Sequence, residues 1–289
     1  MKVIAVFHNK GGVGKTTTVV NLADAIARTG KKVLIVDIDS QANATFATGL
    51  MNFTDELADD IRDNYIYHLL ESPYIEEHPL QNTVRKARYT NQDVDVIPAH
   101  LHLMDKEIPL GNKPFITMIL RKHLEQSAKK YDVVLIDTPP SLNLYARISL
   151  ISADYLLIPS DFKVFANAGL ENVKKLVKEV VSFQNMTKLH VLKVLGVLPT
   201  KILNNPRYIN VLKRQHFPRI ENKYGFSVLQ DLMITERHDL AKCFDASVEV
   251  GDLDIPNPKS IFQFNPTSPA VGEFEKLANY ILQQIGLPT

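Results

Sequence analysis

The chain has 289 residues, 45% of them hydrophobic and 22% charged, with 33 Lys plus Arg against 32 Asp plus Glu. This is the composition of a soluble globular protein with a sizeable core, and the balanced charge excludes a long-range pull towards nucleic acid or anionic lipid, so any such binding needs a local patch. Cys243 is the only cysteine, which excludes an internal disulfide or a cysteine metal cage within one chain and fits a reducing cytoplasm. The N-terminal apolar run is too short for a signal peptide. No stretch approaches the ~18–20 apolar residues of a membrane span, so no membrane partner is expected.

Val3 to Phe7 is a short apolar run, read as a buried strand. It leads into Lys10, Gly11, Gly12, Val13, Gly14, Lys15, Thr16 and Thr17, after which Val19, Val20, Leu22, Ala23 and Ile26 form a helical apolar stripe ending before Gly30. Glycines in that position let backbone N–H groups curl round phosphate oxygens, and the helix N-terminus adds its dipole. Lys15 can reach the β and γ phosphates, and the Thr16 hydroxyl can ligate Mg²⁺. The usual spacing G-x-x-x-x-G-K-[ST] demands glycine at position 9, where this chain has Asn9; instead Lys10 precedes a double glycine and brings a second cation.

Further strands are read at Val33 to Val36, Val94 to Ile97, Val133 to Ile136, Tyr155 to Ile158 and Val194 to Leu198. Asp37 and Asp39 follow the second of the six runs and Asp137 follows the fourth, positions that suit carboxylates acting near a metal shell or an attacking water, or simply capping a helix or turn. One helix is expected after Asn112 and Pro114, with Phe115, Ile119, Leu120 and Leu124 on one face and Lys129 and Lys130 at its end; another carries Leu170, Val173, Val177, Val180 and Val181. The chain closes on a stripe of Phe274, Leu277, Ala278, Ile281, Leu282 and Ile285, expected to pack on the sheet. Alternation of strand and helix implies an α/β doubly wound, mostly parallel sheet flanked by helices. A single domain over 1–289 is expected, with surface excursions near 51–88 and 251–269, which are polar or rich in proline.

Between residues 201 and 223 lie Lys201, Arg207, Lys213, Arg214, Arg219 and Lys223 against one acid, Glu221, and Arg237 and Lys242 extend the bias. Such a stretch contacts duplex phosphates or is an ordinary solvated face; residue types alone leave both open.

The KGGVGKTT run closely resembles the deviant Walker A box of the ParA/MinD family of ATPases. The likeness continues through VDIDSQANAT at 36–45 (switch I), VIPAHLHLMDKEIPL at 96–110, VLIDTPPSL at 134–142 (Walker B and switch II) and LLIPSDF with AGLENV. The resemblance implies a P-loop NTPase that hydrolyses ATP with Mg²⁺, slowly unless a partner stimulates it. It implies that Lys10 reaches the partner's nucleotide across an ATP-sandwich homodimer while Lys15 holds phosphate in its own subunit. Asp39 would orient the attacking water, Thr16, Asp37 and Asp137 would surround Mg²⁺, and Pro199 and Thr200 would contact adenine.

Within the family, the lone Cys243 excludes the iron–sulfur relatives. A MinD-like membrane helix is disfavoured because the segment from Glu273 holds one lysine, Lys276, and no arginine. With the first strand starting at residue 2 or 3, no preceding DNA-reading domain is expected. What remains is a small ParA-type (Soj-like) partition ATPase, cytoplasmic and nucleoid-associated when ATP-bound. It would bind DNA without sequence preference and respond to a small adaptor or ParB-like protein. The alternatives are a membrane-positioning ATPase and a metabolic ligase of the dethiobiotin synthetase type.

Overall fold

The computed structural model describes residues 1–50, 61–72, 74, 76–250 and 253–287. The strands are β1 (Lys2–Val6), β2 (Val33–Asp37), β3 (Arg85–Lys86), β4 (Val94–Ile97), β5 (Val133–Asp137), β6 (Tyr155–Ser160) and β7 (Lys193–Pro199). They form one sheet in the order β3-β4-β2-β5-β1-β6-β7. The six strands expected from the apolar runs are the six parallel ones; they are nearly continuous Val, Ile and Leu because helices cover both faces. β3 was not expected. Its two residues carry no apolar pattern, and they pair antiparallel with β4 at the sheet edge.

Register decides where the chemistry can be. Val6 lies beside Asp137, and Asp137 lies beside Asp37, so three neighbouring strands end level at their carboxyl ends. Loops leaving an open α/β sheet at those ends line the ligand crevice. The first of them turns into the P-loop helix, Lys15–Ala27, which buries Val19, Val20, Leu22, Ala23 and Ile26. The C-terminal helix, Pro269–Gln284, starts on a Ser268 cap that accepts from Ala270 N–H. Its buried stripe is the expected one, and it packs beside the P-loop helix.

Three local expectations change. The helix expected from Asn112 starts at Ile116, because Asn112 closes a short preceding helix, Glu107–Gly111. Phe115 therefore sits at the helix entry with φ +58°, exposed, while Ile119, Leu120 and Leu124 are buried. The excursion expected over 51–88 is core-forming in its described part: Ile61, Tyr65, Ile66, Leu69, Leu70 and Leu80 are buried, and a helix at Ile66–Glu71 packs on Ile116–Gln126. Residues 51–60 lie outside the described residues. The 251–269 stretch is divided. Residues 251–252 lie outside the described residues; β8 (Ser247–Val250) and β9 (Leu253–Pro256) pair antiparallel, and Ile261 and Phe262 turn into the core. Ile261 N–H donates to Asn21 Oδ1 on the P-loop helix, and the Arg28 guanidinium lies over the Phe262 ring, so the proline-rich run braces that helix.

The long helix Val164–Met186 closes over the other side of the P-loop at one glycine. A Cβ on Gly169 would stand 2.5 Å from Asn9 Oδ1 and 2.7 Å from His8 Cε1, and His8 is fully buried with nowhere to retreat. Gly169→Ala is therefore expected to cost about 1–3 kcal/mol, read by urea unfolding, and to weaken nucleotide binding because the residues displaced lead into the glycine turn that starts at Gly11.

Candidate functional site

Gly12 and Gly14 hold φ +75° and +86°, conformations that side chains resist, and Gly14 is the N-cap of the P-loop helix. No side chain caps that helix and no acid sits in its first turn. Its first backbone N–H groups are thus left for an anionic ligand. They open on a cleft of about 440 Å³ lined by Gly11, Gly12, Gly14, Lys15, Thr16, Thr17, Asp39 and Gln41, with Pro140, Lys201 and Phe244 on its walls.

Lys15 is nearly buried, and its Nζ reaches Lys10 O at 3.3 Å. Burial pulls its pKa below the ordinary lysine value, opposed by the charges of Asp137 and Asp39. Thr16 Oγ1 donates to Asp137 Oδ2 at 2.7 Å, while Asp137 Oδ1 is buried without a partner. Burial raises the Asp137 carboxyl above the usual range, against the pull of Thr16 and Lys15. Asp37 is raised as well, by burial first and by Asp137 second, as expected of two carboxylates on adjacent strand ends.

Lys10 turns elsewhere. Its Nζ pairs with Asp161 Oδ2 at 2.9 Å, beyond the end of β6, while its N–H donates to His8 Nδ1. Burial and the Lys15 charge hold His8 down to about 4, so its ring is a neutral acceptor. The two lysines of the loop therefore serve opposite sides of it.

A family model described as an AAA domain matches residues 1–191. The sporulation initiation inhibitor protein Soj of Bacillus subtilis is 35% identical over 201 residues, covering 70% of this chain and 73% of its own. The chain belongs to the ParA/MinD family of P-loop ATPases. The chromosome-partitioning ATPase Soj of Thermus thermophilus is 28% identical over 283 residues, 98% of this chain and 96% of that one. Among solved structures, a variant of Cyanothece McdA in complex with ATP superposes with a TM-score of 0.74 at 18% identity, covering 100% and 98% of the two chains. At that identity the likeness speaks for the fold.

The chain is an ATPase of the ParA/MinD family, and its residues fit ATP and Mg²⁺. The uncapped helix start and Lys15 suit the phosphates, and the unpartnered Asp137 Oδ1, beside the Thr16 hydroxyl, is the kind of buried acceptor that a hydrated cation satisfies. Mg²⁺ supplies neutralisation of charge developing on the phosphates. Thr16 and Asp137 would hold it, and Lys15 compensates the carboxylates around them.

Asp37, expected near the magnesium shell, is engaged by its own loop. Its Oδ1 accepts from Asp39 N–H, and its Oδ2 accepts from both the N–H and the hydroxyl of Thr45, at 3.1, 2.8 and 2.8 Å. Three donors of its own loop engage it, so in this arrangement it braces switch I. Asp39 lines the cleft with Oδ1 accepting from Gln41 N–H, and the helix that follows starts at Asn43.

The two residues expected to contact adenine also differ. Thr200 stands against Gly14, and its hydroxyl donates to Val13 O at 2.7 Å. Pro199 serves through its carbonyl, which accepts from Ile234 N–H. Beyond Thr200 a second chamber of about 250 Å³ opens, lined by Ile234, Thr235, Glu236, Arg237, Leu240 and Phe244 among others. None of these six was read as a nucleotide residue; they come together only because the 228–236 segment folds back along β7.

Of the eight basic residues, Arg207 lies on Pro206–Val211, Lys213 and Arg214 on a π-helical turn at Leu212–His216, and Arg219 and Lys223 on Phe217–Tyr224. These are three consecutive helical pieces. Lys213 pairs with Asp231, whereas Arg207, Arg214, Arg219 and Lys223 are exposed. Lys242 is exposed on His238–Lys242. Lys201, also exposed, lines the cleft, and Arg237 is bound to Glu273 beside it. Asp161 was also missed; a single acid after a strand carries no signal until Lys10 is seen to reach it.

Proposed function

We propose that the chain is a single-domain ParA-type ATPase. Two copies close face to face on two ATP molecules, bind duplex DNA without sequence preference, and position a cargo such as a plasmid, chromosome or protein assembly. The observation that carries this reading is the separation of Lys10 from its own cleft. Lys15 serves the bound phosphates, and a second P-loop lysine aimed away from them has an acidic neighbour to leave and a second subunit's nucleotide to reach. Asp39, on the cleft wall and held by the switch I turn, positions the attacking water. A small adaptor or ParB-like protein speeds hydrolysis by rearranging the switch loops. The exposed Arg207, Arg214, Arg219 and Lys223, on consecutive helical pieces, supply the phosphate contacts. No helix among the described residues is long and apolar enough to cross a membrane.

The test is retention on random-sequence duplex DNA with ATP, with ADP and with no nucleotide, across a salt series. Retention is expected with ATP only. The double variant Arg214→Glu/Arg219→Glu is expected to lower the slope of log affinity against log salt by about 2, with ATP binding intact. Retention that ignores nucleotide at low salt would sink the reading.

A further inference from the structure

The chamber beyond Thr200 holds the strongest unassigned feature. Its volume of about 250 Å³ suits a nucleobase and is too small for a whole nucleotide, and Gly14, Thr17 and Lys201 belong both to it and to the phosphate cleft. Its back wall is a short run, Ile234 to Arg237, tied to the end of β7: Ile234 N–H donates to Pro199 O, and Glu236 N–H donates to Ile202 O. What fixes that run from behind is one carboxylate on the C-terminal helix. Glu273 Oε2 accepts from Thr235 N–H at 3.0 Å. Its Oε1 accepts from the Thr235 hydroxyl at 2.7 Å and from Arg237 Nη2 at 3.1 Å.

Arg237 is incompletely satisfied by this arrangement. Its Nε is buried and has no acceptor, although the residue lines the chamber. A buried donor without a partner costs on the order of 1–3 kcal/mol, more for a charged group. Such a group is tolerated where a ligand completes it. A purine presents ring nitrogens that accept, and a planar guanidinium can donate to them or stack on them.

We propose that Glu273 is a positioning residue for the base of the bound nucleotide, clamping Thr235 and Arg237 so that the Arg237 guanidinium meets the purine directly. This rests on the cleft being the ATP site and adds to it a role for the C-terminal helix. The base is recognised by a residue 222 positions after Lys15, and that residue is set in place by one a further 36 along.

The experiment compares the affinities of Mg²⁺-ATP and Mg²⁺-tripolyphosphate by calorimetry for the parent, Arg237→Ala, Glu273→Ala and Glu273→Gln, with thermal unfolding run beside them. Tripolyphosphate carries the phosphates without the base. ATP affinity is expected to fall about tenfold in Arg237→Ala and Glu273→Ala, the loss of one charge-assisted contact, with tripolyphosphate affinity unchanged. Glu273→Gln keeps an acceptor for Thr235 and Arg237 and is expected to fall between. ATP affinity within twofold of the parent in both alanine variants would overturn the proposal. So would an equal loss for both ligands, which marks general damage to the loop. A parent protein that binds neither ligand would instead overturn the reading of the cleft itself.

Discussion

Lys15→Ala is expected to lower ATP turnover by about 10²–10³-fold, the effect of removing one preorganised donor from a phosphoryl-transfer site. The reason lies in what else the lysine does. It is nearly buried among Asp39 and Asp137, and its charge is one of the forces holding the Asp137 carboxyl down. Without it the carboxyl moves further up, and the Thr16–Asp137 pair holds a cation less well. Single-turnover hydrolysis and Mg²⁺-dependent ATP binding should therefore fail together. Normal Mg²⁺ dependence with only the chemical step slowed would separate the two and contradict this account.

Lys10→Ala is expected to act on a different quantity. The variant should bind ATP within about threefold of the parent, because Lys10 Nζ faces Asp161 and not the cleft, and should form no ATP-dependent dimer by light scattering. It leaves Asp161, nearly buried, with one fewer donor, at a cost to stability of about 1–3 kcal/mol. A lost dimer could then be blamed on poor folding. The double variant Lys10→Ala/Asp161→Asn removes that ambiguity: stability should return and dimerisation should not. A dimer in either variant with ATP would refute the role given to Lys10.

How much of this could be read without coordinates depends on how local the cause is. The parallel strands were legible because burial on both faces forces an unbroken apolar run, and Val133 to Ile136 can be little else. The P-loop was legible because glycines, lysine and threonine must be adjacent in the chain to wrap a phosphate. β3 was not, since Arg85 and Lys86 pair only because β4 is already in place. Asp37 and Asp137 look equivalent as strand-ending aspartates, yet only the fold shows one taken up by Thr45 and the other with an oxygen to spare. The Glu273–Arg237 clamp joins residues 36 apart through loop closure, with no spacing rule to announce it. The eight basic residues were legible as a composition and not as a surface, since charge runs carry no information about which side chains the chain then uses internally.

The two rims of the main sheet also decide how copies of the molecule can meet. A strand with free N–H and C=O groups along its outer side invites another chain to add on, and long open rims drive uncontrolled assembly. At one rim β3 is only two residues long and consists of Arg85 and Lys86, the latter held by Asp93 and Asp95. At the other, β7 is overlaid by the chain near Val228, through Val197 N–H to Ser227 O and Leu229 N–H to Val197 O. The main sheet therefore offers neither rim for templated growth. Copies that meet are left with self-contacts made through side chains, and under the function proposed above those are undone by spending one bound ligand.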